Sequence, residues 1–215
     1  TIGKIYQYVA PISGVLQGNY EPTIRLYAPT KLQLATFFTK FSNEKTSLDT
    51  EIAVSNNDLN LFSTIDDNNN KGIAAKLGAK QTVFSKKTKL DAFSDFQLIQ
   101  QNFKSIERIF TIEFNRDWNI SAVSGNQSLF SAGLKWYNDK IFNAIYNLEK
   151  LDFSNSFSGI KHNFSGNYTN KNWNISTKNS LLKSNAGTVS SQFVRSQSRA
   201  KTLFGKNWAG SGLRH

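Results

Sequence analysis

Hydrophobic and polar residues alternate along most of this chain with a period of two. In one clear stretch, Leu48, Ile52 and Val54 fall on one side while Asp49 and Glu51 fall on the other. Successive side chains of a β-strand point to opposite faces, so this spacing is typical of a strand and not of a helix. The pattern predicts strands with one side packed on a core and the other side in water.

Turn-forming residues divide the chain into segments about ten residues long. The stretch 66–72, Asp-Asp-Asn-Asn-Asn-Lys-Gly, is one such break, and alternation resumes after it with Ile73, Ala75 and Leu77. We predict an all-β fold, an extended antiparallel meander of repeated hairpins that stands alone or belongs to a larger sheet or barrel. Residues 1–30 are expected to form a lead-in with short strands, and residues 31–215 the hairpin region of a longer protein.

Aromatic residues, a cation and Asn or Asp recur just before tryptophan. The pattern appears in the stretches 114–121, 168–176 and 204–211, and a related turn spans 136–142. Each stretch predicts a hairpin turn, with rings paired across the two strands. Two other roles are open for the tryptophans: a belt at a membrane interface, and platforms for glycan stacking.

One segment fits two structures. Phe96, Ile99, Phe103, Ile106 and Phe110 recur at spacings of three and four, as in an amphipathic helix over 95–110. The alternative is a strand through Phe96, a turn near 102–104 and a second strand from Ile106 to Phe114. We favour the strands, since the neighbouring segments are strands.

The composition restricts the class of protein. The chain has 215 residues with 17 Phe, 7 Tyr and 4 Trp, but no Met and no Cys. Without cysteine there is no disulfide, thiolate metal site or cysteine nucleophile. Because the chain does not begin with methionine and stops without a tail, we expect it to be an excerpt; a cleaved signal peptide is the alternative explanation of its start.

The formal net charge of +11 admits an anionic partner. No arginine-rich helix or aromatic RNA-binding motif accompanies the charge, so we do not expect nucleic acid binding. The cations are expected to be spread among turns, as a solvated basic surface.

The sequence contains few residues that could form a catalytic site. The histidines are His162, expected on a strand face, and His215, too few for a histidine metal site or a catalytic triad. A calcium loop starting at Asp66 has its glycine one place late, at Gly72, and Leu77 where the bidentate acid belongs. Asp49 and Glu51 are a weak candidate for a glycosidase carboxylate pair. We predict no catalytic residue, no metal site and no cofactor, and therefore no enzyme.

The hairpins rich in Asn, Ser, Lys and Phe, the tryptophan turns and the stretches 104–108 and 114–118 together resemble large β-rich envelope proteins of the Bacteroidota. Among these, the chain is similar to the plug subunits that dock on the SprA translocon of the type nine secretion system. The resemblance implies a non-enzymatic periplasmic protein associated with the outer membrane. Its partners would be the large translocon protein and other envelope subunits, with contact to the membrane surface, and its task to close the pore.

An outer-membrane β-barrel channel or transporter is the main alternative, and a secreted glycan-binding module is the third. A barrel should present one continuous apolar face to lipid. Arg108 interrupts the predicted strand from Ile106 to Phe114, and alternation weakens over 173–181 and again over 188–195. The sequence therefore favours a water-exposed sheet over a barrel.

Overall fold

A computed structural model describes residues 5–18, 27–65, 67–121, 123–154, 156–204 and 207–214. They form one sheet in which ten antiparallel strands follow each other in chain order. The strands are β1 (Lys31–Ser42), β2 (Thr46–Asp58), β3 (Lys71–Ser85), β4 (Lys89–Ile99), β5 (Gln127–Asn138), β6 (Phe142–Phe153), β7 (Phe157–Thr169), β8 (Trp173–Ala186), β9 (Val189–Phe204) and β10 (Asn207–Arg214). The predicted all-β meander of hairpins is confirmed, and the sheet is not closed.

Asparagine side chains close several of the hairpin turns. Asn43 Oδ1 accepts hydrogen bonds from the backbone N–H groups of Lys45 and Thr46, at 2.9 and 2.7 Å. Asn170 Oδ1 accepts in the same way from Asn172 and Trp173, at 2.8 and 2.7 Å. Such bonds let asparagine mimic one residue of a backbone turn. Asn138 accepts in the same way from the N–H of Lys140 at 3.1 Å, so a capping asparagine recurs in three of the hairpin turns.

The predicted tryptophan turns have different outcomes. Hairpins join β5 to β6 around 139–141 and β7 to β8 around 170–172, as predicted. The β9–β10 hairpin forms too, although residues 205 and 206 at its tip lie outside the described residues. The turn predicted for 114–121 is wrong, because Phe114–Trp118 is a short helix, α1, that ends in the left-handed residue Asn119 at φ 56°. Burial of Trp118 overrides the local resemblance to a turn.

The connection between β4 and β5, residues 100–126, contains α1 and is the long irregular segment of the fold; we call it the β4–β5 segment. The strand predicted through Phe96 is confirmed, since β4 runs to Ile99. The second strand, from Ile106 to Phe114, is wrong, and so is the alternative helix over 95–110. The backbone of the β4–β5 segment forms isolated hydrogen bonds to the sheet instead of a continuous ladder. The N–H of Lys104, for example, donates to Ser55 Oγ at 2.9 Å.

Two shorter segments flank these strands. Within residues 1–30, the described part pairs at one isolated bridge, between Ile12 and Val15. A single 3-10 turn, Asp67–Asn69, precedes β3. Asp66, the first residue of the calcium-loop candidate, lies outside the described residues. None of the helices described is both long and apolar enough to cross a membrane.

Candidate functional site

The strand pairings place the predicted hydrophobic positions on one side of the sheet. Directly opposite residues of antiparallel strands share a face, so the register joins the positions strand by strand. We call this side the apolar face and the other the polar face. The large side chains of the apolar face include Phe37, Phe41, Leu48, Ile52, Val54, Ile73, Leu77, Phe84, Leu90, Phe96, Leu98, Phe130, Leu134, Trp136, Phe142, Tyr146, Leu148, Ile160, Phe164, Tyr168, Trp173, Ile175, Leu181, Val194, Phe204 and Leu213.

The covered side of the sheet is the polar face. Every buried residue of the described strands lies there: Ala53, Ser55, Gly72, Gly78, Asp91, Gln127, Leu151, Phe157, Gly159, Leu182 and Ser184. On β2, Ser55 is 0% exposed, whereas Ile52 on the other side is 44% exposed. The prediction that the apolar side packs on the core is therefore wrong: the packed patches lie on the polar side, and the apolar side is exposed. A monomeric soluble protein rarely leaves so large an apolar surface uncovered.

The β4–β5 segment supplies the cover over the second half of the sheet. Trp118, at 2% exposure, packs with Leu151, Phe157 and Leu182 from three successive strands. Partly buried side chains around this cluster are Phe114, Ile120, Val123, Leu129 and Phe153. Burial of this size stabilises a domain by about 2 kcal/mol for each large side chain. The hydrophobic core of the described chain is thus an island on the polar face.

Charged groups hold α1 against the sheet as well. Lys161 Nζ lies 4.2 Å from the centre of the Trp118 ring and 2.9 Å from Glu149 Oε2. From β9, Arg195 Nη1 donates to Asp117 Oδ1 at 2.8 Å. A cation over an indole ring and a charge-assisted hydrogen bond are both favourable contacts. Together they tie α1 to β6, β7 and β9.

The segment comes so close to β3 that a side chain is excluded there. A Cβ atom on Gly72 would collide with the backbone N of Phe103. On β7, a Cβ on Gly159 would stand 3.0 Å from the Phe157 ring and 3.2 Å from Cε3 of Trp118. Both glycines lie on the polar face and are buried. The sequence carries glycine where the segment approaches the strands most closely.

A buried carboxylate lies at the other end of the polar face. Asp91 on β4 is 1% exposed. It accepts a hydrogen bond from Thr82 Oγ1 at 2.8 Å and another from Tyr137 Oη at 3.3 Å, and Lys80 Nζ lies 3.0 Å from Oδ2. A buried charge is stable when it is paired and hydrogen-bonded in this way. The group joins β3, β4 and β5.

The apolar residues of each strand form a band, and the band moves along the strands from one side of the sheet to the other. One row of paired residues on the apolar face runs Thr39, Thr50, Leu77, Phe96, Phe130, Lys150, Ile160, Lys183 and Gln192. The row lies inside the band on β1 to β5 but outside it on β8 and β9. The band has therefore shifted against the hydrogen-bonding rows.

The size of the shift gives an angle. On β1 the band extends from Ala35 to Phe41, and its midpoint at 38 pairs across the sheet with Ser184 of β8. On β8 the band extends from Trp173 to Leu181; it includes the polar residues Thr177, at its midpoint, and Asn179. The drift is thus about one residue, or 3.4 Å, for each strand spacing of about 4.8 Å. The band crosses the strands as a flat slab does when the strands are tilted by about 35° from its normal.

The ends of the band differ in chemistry. Trp136, Tyr168 and Trp173 lie at one end, near the β5–β6 and β7–β8 turns, and are 39 to 50% exposed. Lys150 and Lys183 follow at the opposite end. Within the band, Ile160 and Tyr168 are eight residues apart along β7, a length of about 27 Å. After a tilt of 35° the band is about 22 Å high.

The structure also places the other residues that the sequence analysis identified. His162 lies on a strand face of β7, as predicted, where its Nδ1 is 2.8 Å from Tyr146 Oη. Trp136 pairs edge-to-face with Phe142, with ring centres 4.8 Å apart. Asp49 and Glu51 lie side by side on the polar face of β2. Among the described residues, no group of three or more His, Asp or Glu side chains is placed to hold a metal ion.

Comparison with known proteins adds no relative: no family model matches the sequence, and no curated protein or solved structure is significantly similar to it.

Proposed function

We propose that the ten-stranded sheet, β1 to β10, is part of the wall of a membrane-embedded β-barrel in a bacterial outer membrane. In this role the apolar face contacts lipid hydrocarbon and the polar face lines the interior. The function would be that of a channel or transporter without catalytic residues. Closure of the barrel would require partner strands for β1 and β10, which are the edges of the ten-stranded sheet.

The drift of the apolar band is the observation that carries the proposal. Strands of outer-membrane barrels tilt by about 35 to 45° and present an apolar band about 25 Å high, bordered by aromatic residues. The band described above has a tilt of about 35° and a height of about 22 Å. Ser190 and Gln192, which weaken the alternation of β9, pair with Asn185 and Lys183 beyond the end of the β8 band. The polar stretch therefore lies outside the apolar slab, and its polarity does not oppose contact of the apolar face with lipid.

Arg108 does not interrupt a lipid-facing strand, because it does not lie in a strand. The residue belongs to the β4–β5 segment and lies in a part of it without regular structure. With Glu51 and Glu107 it lines a cavity of about 460 Å³ between this segment and β1 to β4. Its charge is therefore on the interior side, where polar groups are tolerated.

A plug subunit of the type nine secretion translocon is the second candidate. The observation in its favour is the β4–β5 segment, which fills one face of the sheet and would obstruct passage. In that case the apolar face would pack against the translocon protein. A protein partner imposes no planar band, however, so the regular drift favours lipid.

Extraction of native membranes with alkaline carbonate tests the proposal. We expect the full-length protein to stay in the outer-membrane fraction, since an integral barrel resists this treatment. The experiment is repeated in a strain that lacks the translocon protein, and the result should be the same. Release into the soluble fraction in either strain would contradict the barrel, and release in the deletion strain alone would support the plug.

A further inference from the structure

Acidic residues are absent from the last part of the sequence. Between positions 153 and 215 there is no Asp or Glu, against nine Lys and Arg. The structure shows where these cations lie, and most of them are on strands instead of turns, contrary to expectation. Six project from the polar face of β7 to β10: Lys161, Lys178, Arg195, Arg199, Lys201 and Arg214.

The polar face is therefore unevenly charged. On β2 and β4 the acids Asp49, Glu51, Asp91 and Asp95 stand among lysines, so positive and negative charges alternate there. On the β7 to β10 side, Lys161 is paired with Glu149 and Arg195 with Asp117. Four cations have no ion-pair partner among the described residues: Lys178, Arg199, Lys201 and Arg214.

Three of the cations surround a depression. Lys178, Arg195 and Arg214 line an open cavity of about 550 Å³ on β7 to β10. Polar residues of the same face also line it: Asn163, Ser165, Ser180 and Gln197. The remaining lining residues are Phe164, Asn179 and Ser196, at the intervening strand positions. No acidic residue lines it. A pocket of this volume holds a small organic molecule, and its lining offers charge-assisted hydrogen bonds to anionic oxygens.

The backbone of β10 keeps this region open. Gly212 pairs with Arg199, and Gly210 pairs with Lys201. Neither glycine places a side chain over the neighbouring cation. Arg199 and Lys201 continue the row of cations on the polar face of β9 beyond the depression, and the Trp208 ring lies 4.6 Å from Lys201 Nζ.

We propose that this depression is a binding site for a polyvalent anionic solute bearing phosphate, sulfate or carboxylate groups. Lys178 and Arg214 would supply the free charges, and Gln197 and Ser180 hydrogen bonds that fix orientation. The inference rests on the proposed function and deepens it. In a barrel the site faces the interior, so its chemistry identifies the class of solute that the barrel would bind. Like charges held near one another without acids are relieved when an anion binds between them.

Calorimetric titration of the detergent-solubilised full-length protein tests the site. The probes are inorganic tripolyphosphate and citrate, with an uncharged disaccharide for comparison. We expect both anions to bind, the disaccharide to be silent, and the affinity to fall as salt is raised. If tripolyphosphate binds and citrate does not, the ligand carries tetrahedral anions; the opposite result identifies a carboxylate ligand.

Single substitutions localise the binding. Lys178→Gln and Arg214→Gln should each weaken anion binding about tenfold, by loss of one charge-assisted contact. Lys183→Gln is the matched control, since it removes the same charge from the same strand but on the other side of the sheet. Equal loss in all three variants, or no binding by the unmodified protein, would overturn the proposal.

The outcome is separable from that of the membrane experiment. If the protein resists carbonate extraction but Lys178→Gln binds the anions like the unmodified protein, the site is refuted and the barrel stands. If carbonate releases the protein but binding depends on Lys178 and Arg214, the site stands and the barrel is refuted.

Discussion

Trp118 has the largest fully buried side chain of the described residues, and it belongs to the β4–β5 segment. Its indole ring fills the space above Leu151, Phe157 and Leu182. Truncation would leave a cavity that the rigid sheet cannot collapse to fill. The stability of the covered half of the polar face therefore depends on this residue.

We predict that Trp118→Ala lowers the free energy of unfolding by about 3 to 5 kcal/mol. The matched control is Trp208→Ala on β10, where the ring is 64% exposed. Guanidinium titrations of the two variants, followed by circular dichroism in the same detergent, measure the difference. Similar midpoints for both variants would contradict the packing role assigned to Trp118.

Asp91 gives a second prediction at this scale. Asp91→Ala removes the partner of Thr82 and Tyr137 and leaves their partly buried hydroxyl groups without this acceptor. We expect a loss of stability of about 1 to 3 kcal/mol, measured by the same titration. Asp139→Ala breaks an ion pair with Lys89 in which both side chains are exposed, and should have little effect. A larger effect at Asp139 than at Asp91 would refute this ranking.

At the residue scale, the structure agrees with the sequence-based predictions where neighbouring residues alone determine the backbone conformation. Asn43 and Asn170 close turns because an asparagine side chain bonds to backbone groups two and three residues away. The stretch around Trp118 has the same composition but a different structure. Its outcome depends on contacts with residues 33 to 64 positions away, such as Leu151 and Leu182. No local pattern contains that information.

The β4–β5 segment is the element that the sequence describes least well. Its apolar residues are spaced irregularly because they meet the sheet at separate points, and neither a helical nor a strand period accounts for them. Gly72 marks one of these points, although glycine in a strand could equally mark a bulge. The structure identifies the reason as the backbone of Phe103.

We predict that Gly72→Ala displaces the start of the β4–β5 segment from the sheet. The new methyl group cannot share its position with the backbone at Phe103, so one of the two must move. Limited trypsin digestion should then cut faster after Lys104 and Arg108 than in the unmodified protein. Gly166→Ala on the apolar face is the control, because its Cβ would have no neighbour closer than 3.5 Å. Unchanged cleavage in Gly72→Ala would show that the contact is not required.

The division into faces follows from alternation, but the choice of the covered face does not. A period of two is the same whether the apolar side contacts a protein core or lipid. In this molecule the choice depends on where residues 100–126 lie, and they lie on the polar side. The diagonal course of the apolar band is also invisible in any single strand, since it arises from the register of eight successive pairings.

A charged substitution on each side of one strand tests the whole arrangement. Phe96 and Gln97 are neighbours on β4. Phe96 lies on the apolar face and is 42% exposed, whereas Gln97 lies on the polar face opposite Lys76, in a cavity also lined by Glu51, Glu107 and Arg108. In lipid, Phe96→Arg places a charge in the apolar band and should cost about 2 to 4 kcal/mol of folding free energy. Gln97→Arg places its charge on the polar face, which in a barrel lines the interior, and should cost far less. The measurement is the yield of folded protein when denatured variants are diluted into phospholipid vesicles, read from protection against protease. If the apolar face contacted water, Phe96→Arg would fold as well as Gln97→Arg, and the lipid-facing assignment would be lost.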